Sequence, residues 1–326
     1  MRASTSSLTT PPPKVEPIKE RLPTLLASSV IRGAHLGESH GGIYLVDLDR
    51  GTVELKLDWD RADIDFGGRG GDRGLRGIAF YGEHILVAAN SQLLVLDRSF
   101  GVVDAFANRY LRHCHEISVT GDRVFLTATG YDSLLTFDLK TKRFTEGRHL
   151  GLLGDSLVLR SYDPSTSVGP EEGHQFHINS VTASASNIWF SGLYTPGLLH
   201  TDGRTVALAA RLPQGTHNAQ IHEGGVLYND TESGQVCYRR NGARVEMAVP
   251  EFAPGEIINL ERFASAVARP GFARGLCAWN DGWVAGGSSP STISVYNLRD
   301  SRRVLQRNLS MDVRNAIHGL AIWPYA

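Results

Sequence analysis

Short runs in which apolar and polar positions alternate fill the chain from about residue 28 onward, separated by turns rich in glycine, asparagine and aspartate. That is the pattern of half-buried β-strands, with no long stretch of helical period. The runs recur in a fixed order. A strand opening on His or Arg comes first: Arg76-Gly-Ile-Ala-Phe, His115-Glu-Ile-Ser-Val, His177-Ile-Asn-Ser-Val, His217-Asn-Ala-Gln-Ile, Arg274-Gly-Leu-Cys-Ala and His318-Gly-Leu-Ala-Ile. A turn follows, such as Tyr81-Gly82-Glu83 or Thr120-Gly121-Asp122, then an apolar strand such as HILVAAN (84–90) or RVFLTATG (123–130). A third strand comes next (QLLVLDR, SLLTFDL, GLLHTDG, QVCYRRN, TISVYNL), and a looser fourth closes the unit, as in GVVDAF or RVEMAVP.

Four short strands at a period near 40 residues make one blade of a β-propeller. The six opening residues lie 39, 62, 40, 57 and 44 positions apart, and the two long gaps place insertions at about 150–176 and 249–273. After His318 the chain supplies one more strand, while three strands lacking an innermost partner stand at the other end (28–36, 41–48 and 52–59). The expectation is an all-β, six-bladed propeller in which the two ends share the last blade, leaving no open sheet edge there. The polar, proline-rich segment 1–25 is expected to be a disordered tail, and residues 26–326 a single domain.

Composition narrows the function classes. Lys plus Arg number 33 against 34 Asp plus Glu, a balance that argues against nucleic-acid and anionic-membrane binding. Three cysteines without CxxC spacing do not make a disulfide framework. There is no apolar signal segment or membrane span. A soluble, cytoplasmic protein with a small-molecule substrate is expected.

The candidate chemistry lies in the opening residues. Each begins an innermost strand, so six side chains converge on one mouth of the channel. The position is His four times and Arg twice, never apolar, and the Trp-Asp ending that a WD-type structural tetrad requires is absent. In ring order Arg76, His115, His177, His217, Arg274 and His318, three histidines are contiguous, and His318 faces His177 between the two arginines. Neutral imidazole suits Fe, Zn or Cu. Two arrangements are open. Either His115, His177, His217 and His318 all bind one divalent ion, as in the seven-bladed carotenoid oxygenases, or the first three bind it and His318 serves as acid or base. In the second, Arg76 and Arg274 hold a substrate carboxylate; guanidinium charges repel a nearby cation unless an anion intervenes, which favours that arrangement or an anionic substrate. Glu116, beside His115, is the candidate acceptor for a ligand imidazole. Oxygenase or lyase chemistry follows from the metal reading; a non-catalytic propeller binding a ligand or protein partner at the same mouth is the alternative. Neighbouring polar groups include Glu38, Ser39, His40, Asn90, Tyr131, Asp132, Tyr194, Asn229, Asp230, Glu232, Ser288 and Ser289, with His113 and His174 just before ring positions. The glycine-rich segment 67–74 reads as a loop on the same side.

The stretch PGFARGLCAWNDGWVAGGSS (270–289) resembles the Pro-Gly-Phe-x-Arg-Gly-Leu motif of an uncharacterised bacterial propeller family. THNAQIHEGGVLYNDTESGQV (216–236) is similar to that family's adjacent blade, which reads His-Ser-Pro where this chain has His217-Asn218-Ala219. The resemblance covers about a quarter of the chain, implies the fold and the pairing of His217 with Arg274, and implies no activity. Six-bladed peptidyl-hydroxyglycine lyases are more distantly similar in binding Zn through three histidines of separate blades.

Overall fold

The computed structural model describes residues 21–35, 37–60, 74–263, 268–280 and 282–325. Six antiparallel sheets stand in a ring as a six-bladed β-propeller. Blade one combines the two ends of the chain: Asn315–Ile322 is innermost, followed outward by Thr24–Ile31, Gly42–Asp47 and Thr52–Asp58. Blade two runs outward through Ile78–Tyr81, His84–Ala89, Gln92–Leu96 and Val102–Ala107. Blades four, five and six repeat this order from Ile178–Ala183, Thr216–His222 and Arg274–Trp279. The second and third strands of most blades are buried on both faces, because each sheet is sandwiched between two others. This explains their nearly unbroken apolar sequence; the outermost strands are largely exposed and alternate more clearly.

The closure follows the expected pairing. Asn315–Ile322 runs antiparallel to Thr24–Ile31, from Leu25 opposite Ile322 to Ile31 opposite Asn315. Each seam between neighbouring blades holds its own apolar cluster. Leu25, Ala27 and Val46 meet Ile293 and Val295 at the seam of blades six and one. Leu26 and Ile43 meet Ile85, Val87 and Leu94 at that of blades one and two. The first strand begins at Thr24, and Leu22 before it is already buried. Residues 1–20 lie outside the described residues.

Blade three differs from expectation. Its innermost strand is Ile117–Thr120, and Arg143–Leu153 turns at Gly154 (φ +59°) into a fifth strand, Ser156–Tyr162, at the outer edge. Half of the first insertion therefore widens a blade. The remainder returns along the mouth, where the Gly173 amide donates to the Gly130 carbonyl and Arg112 pairs with Glu172 at 2.8 Å. The second insertion carries a short helix, Leu260–Phe263, and is tied to the connection between blades six and one by bonds between Ile258 and residues Met311 and Val313.

Candidate functional site

The innermost strands are kinked where the ring residues stand. In blade five, Asn218 and Ala219 together oppose Tyr228; in blade six Gly275 is the extra residue, and in blade four Asn179. In blade one the register shifts so that His318 has no opposite number. Such bulges redirect a side chain out of the ladder. Backbone conformation follows: His177 and Asn218 both sit at φ +52°, and Gly275, at +72°, meets the requirement with the residue that tolerates it best.

All six ring residues come together. Arg76, His115, His217 and His318 are buried, and Arg274 and His177 are partly so. The His115 ring centroid lies 5.5 Å from that of His177 and 6.5 Å from that of His217. His174 and Tyr194 flank His177 at 6.3 and 6.4 Å. Every ring histidine is held neutral. Burial comes first, pushing His177 down to about 3, and the charges of Arg274 and Arg76 reinforce it. His115 and His318 are held well below the imidazole range by burial and the same two arginines, and His217 by burial and Arg274.

Hydrogen bonding fixes the tautomers of two rings. His115 Nδ1 is 2.7 Å from the His113 carbonyl and 3.0 Å from Thr129 Oγ1; His217 Nδ1 is 3.0 Å from the Gly215 carbonyl. A carbonyl only accepts, so Nδ1 carries the proton in both and Nε2 keeps its lone pair. His217 Nε2 and His318 Nε2 are buried without a hydrogen-bond partner. Orientation through a backbone carbonyl is how metal-binding imidazoles are set. Two imidazoles on one zinc, with Zn–N at about 2.0–2.1 Å, bring their centroids to about 5 Å, somewhat closer than here. As the side chains stand, no group of three or more His, Cys, Asp or Glu among the described residues is close enough to hold an ion.

Glu116 does not serve as the expected acceptor for an imidazole. Its carboxylate reaches across to blade five and accepts from Asn218 Nδ2 at 2.5 Å. Asn218 Oδ1 in turn accepts from Asn229 Nδ2 and the Gly275 amide, both at 3.0 Å. The Glu116 side chain is partly buried, and burial pushes its carboxyl up to about 8, against the lowering effects of Arg274 and Asn218. Asp132 is a second buried carboxylate. It accepts from the backbone amides of Phe176 (3.0 Å) and His177 (2.7 Å), and so pins the left-handed turn that presents His177.

Sequence reasoning missed Phe272 and two further arginines. The guanidinium carbons of Arg274, Arg269 and Arg32 lie 4.7, 4.8 and 4.9 Å from the Phe272 ring centroid, and His217 is 6.0 Å from it. The Pro-Gly-Phe-x-Arg spacing places Phe272 between Arg269 and Arg274; nothing in the repeat pointed to Arg32, which leaves the first strand of blade one. Most of the glycine-rich segment 67–74 lies outside the described residues.

No family model matches the chain, so the likeness of 216–236 and 270–289 to a propeller family rests on those residues alone. No curated protein is similar to it in sequence. Among solved structures it resembles a chain of a nidogen/laminin complex, at 10% identity over 91% of this chain and 97% of that one, with a TM-score of 0.57. It also resembles a protein of unknown function from Bacteroides caccae, at 10% identity over 93% of this chain and 100% of that one, with a TM-score of 0.55. No helix among the described residues is long and apolar enough to cross a membrane. At such identity the likeness is one of fold: the chain is a six-bladed β-propeller.

Proposed function

We propose that the mouth of the propeller is the active site of a metal-dependent enzyme acting on a small organic anion. In this reading His115, His177 and His217 hold a divalent Fe, Zn or Cu ion. Arg76 and Arg274 hold the anionic group of the substrate, and His318 stands beside both as acid or base. The observation that carries it is the state of the histidines: they are neutral, and in His115 and His217 Nδ1–H is committed to a backbone carbonyl. That leaves the ligating lone pair of Nε2, buried and without a partner in His217. The ion would supply Lewis acidity or an oxygen-binding position, suiting lyase or oxygenase chemistry. The chain's own contribution is to orient the anion, exclude bulk water and hold the proton at Nδ1.

The test is elemental analysis of protein purified without a chelating tag and reconstituted anaerobically with each ion. We expect close to one equivalent, lost in His177→Ala. Metal that survives loss of His177, or none after reconstitution, overturns the reading. The separation of the rings as they stand favours a second reading, a non-catalytic propeller that binds an anion at the same mouth. Metal-free protein that still binds carboxylates through Arg274 would support it.

A further inference from the structure

The outer edges of the blades are not alike. An outermost strand presents amides and carbonyls with which another chain can pair, and proteins blunt such edges with bulges or charges. In blades one, two, four and six the outermost strand carries one extra residue against its neighbour: Lys56, Val103, Ala209 and Val304 respectively. Each bulge bends the strand and interrupts its row of outward groups. The outermost strand of blade five has no bulge but bears Arg244 and Glu246, paired at 2.7 Å. The fourth strand of blade three is bulged like the others, with Thr145 as its extra residue. The fifth strand covers that edge and replaces it with a regular one. Ser156–Tyr162 pairs through all seven of its residues without a register shift, contains no proline, and has Arg160 as its only charge.

The same strand is held so that its outer edge stays open. Leu157 and Leu159 pack into the apolar cluster at the seam of blades three and four, which fixes one face. Gly154 and Asp155 form a two-residue turn, so Leu153 and Ser156 are a hydrogen-bonded pair. Bonded and non-bonded pairs then alternate along the hairpin. Ser156, Val158, Arg160 and Tyr162 turn their backbone groups toward the fourth strand, and Leu157, Leu159 and Ser161 turn theirs outward. Among the described residues, no element besides the fourth strand bonds to the backbone of Ser156–Tyr162.

We propose that a second copy of this chain pairs with that edge through its own Ser156–Tyr162 strand, antiparallel about a two-fold axis at Leu159, joining two five-stranded sheets. The strand is self-complementary in this register. Leu157 lies opposite Ser161 of the second copy and Leu159 opposite its own equivalent, so every outward amide and carbonyl of the three residues finds a partner. Val158 lies opposite Arg160, and no like charges within the strand meet; moving the axis to Arg160 would set that guanidinium against itself. A foreign strand would have to match this length, alternation and charge placement, which a second copy does by symmetry. The proposal is independent of what the mouth of the channel binds.

The test is sedimentation velocity of the full chain at low ionic strength, from about 2 to about 200 µM, the range suited to a small, reversible interface. We expect a monomer–dimer equilibrium within it. Val158→Glu sets a carboxylate against Arg160 twice in each dimer and should tighten association about fivefold, while Val158→Lys should weaken it by about the same factor. Salt should reduce both effects. Ser161→Pro removes an outward amide and none that faces the fourth strand, so it should give a monomer with a native circular dichroism spectrum. A chain that stays monomeric up to about 200 µM overturns the proposal, whether another protein caps the edge or nothing does. So does a dimer that Ser161→Pro leaves intact, or one that Val158→Glu and Val158→Lys change in the same direction.

Discussion

Replacing Gly319 by alanine probes the closure of the ring and the placement of the site at once. Gly319 follows His318 in the innermost strand of blade one. A Cβ there would lie 2.3 Å from the Arg76 carbonyl oxygen and 2.6 Å from Ser28 Oγ, where ordinary contact begins at 3.4 Å. Neither obstacle is the flexible end of a long side chain. The Ser28 hydroxyl donates to the Arg76 carbonyl and accepts from the Gly319 amide at 2.9 Å, so the strand cannot retreat without breaking both bonds. Overpacking costs about 1–3 kcal/mol, and each buried hydrogen bond contributes about 1 kcal/mol. The lower backbone entropy of alanine in the unfolded chain returns about 0.5 kcal/mol. We expect a net loss of about 3 kcal/mol, read as a lower urea midpoint at unchanged slope, or a Tm fall of about 5 °C for a domain of this size. Gly255→Ala is the control: nothing lies within 4 Å of its Cβ, its φ is not positive, and the change should stay within about 0.5 kcal/mol. Gly319→Ala within that same margin would refute the claim that the seam tolerates only glycine.

Three further outcomes are expected. Metal-free protein should show a stability maximum near neutrality. His177, about 3 in the folded state against about 6.5 unfolded, contributes stability that is complete above pH 6.5 and lost as pH falls toward 3; the other ring histidines act in the same direction. Glu116, raised to about 8 from about 4.5, binds its proton more tightly when folded, so its contribution declines from pH 4.5 to 8 and Glu116→Gln should remove that decline. Urea midpoints across pH 4–9 check both; a flat profile below pH 6.5 sinks the account of the histidines. Deleting residues 317–326 should give insoluble or unfolded chain, because Thr24–Ile31 loses its partner and Trp323 its stacking on Phe100; a monomeric, native-like product by size exclusion would contradict the closure. His318→Ala should keep its metal by elemental analysis, and turnover, once a substrate is identified, should fall about 10²–10⁴-fold. Metal loss equal to that of His177→Ala would instead establish a four-histidine site.

Much of this architecture was legible because the repeat is carried by chemistry that alternation cannot hide. A His or Arg every 40 to 60 residues, each followed by the same strand order, is independent of which apolar residue fills a given core position. Boundaries were less legible. Leu25 and Leu26 are both buried in a strand sandwiched between two blades, so the alternation that marks a strand's start is missing at Thr24. The fifth strand of blade three was hidden because a hairpin extending an existing sheet reads like any insertion. Arg32 was out of reach for a topological reason: its contact with Phe272 joins blade one to blade six across the closure, and no local pattern encodes a meeting of residues 240 positions apart. Glu116 misled because adjacency to His115 is not proximity to its ring. Successive side chains on a strand diverge, and Asn218, 102 positions away, met the carboxylate instead.

The ring positions also separate two roles that a repeat usually fuses. In a propeller whose repeated polar residue is structural, its side chain ties one blade to the next. Here Arg76 Nη1 does reach the Cys114 carbonyl at 3.1 Å, but the histidine side chains leave that task to other atoms. The Gly77 amide donates to the His115 carbonyl at 2.8 Å, joining blades two and three. Thr129 Oγ1 donates to the Ile178 carbonyl and Asn179 Nδ2 to the Thr216 carbonyl, joining three to four and four to five. Asn218 accepts from the Gly275 amide, joining five to six; Ser291 bonds Asn315, joining six to one; Ser28 bonds the Arg76 carbonyl, joining one to two. The seams thus run mainly through backbone groups and through neighbours of the ring histidines. The histidine side chains are left buried and neutral at substantial desolvation cost, two of them with an Nε2 that bonds nothing. A position kept only for packing would be served better by leucine. Polar groups held in that state make sense where a ligand completes them, which is why the substitutions that matter most for binding at this mouth should be among those that matter least for the fold.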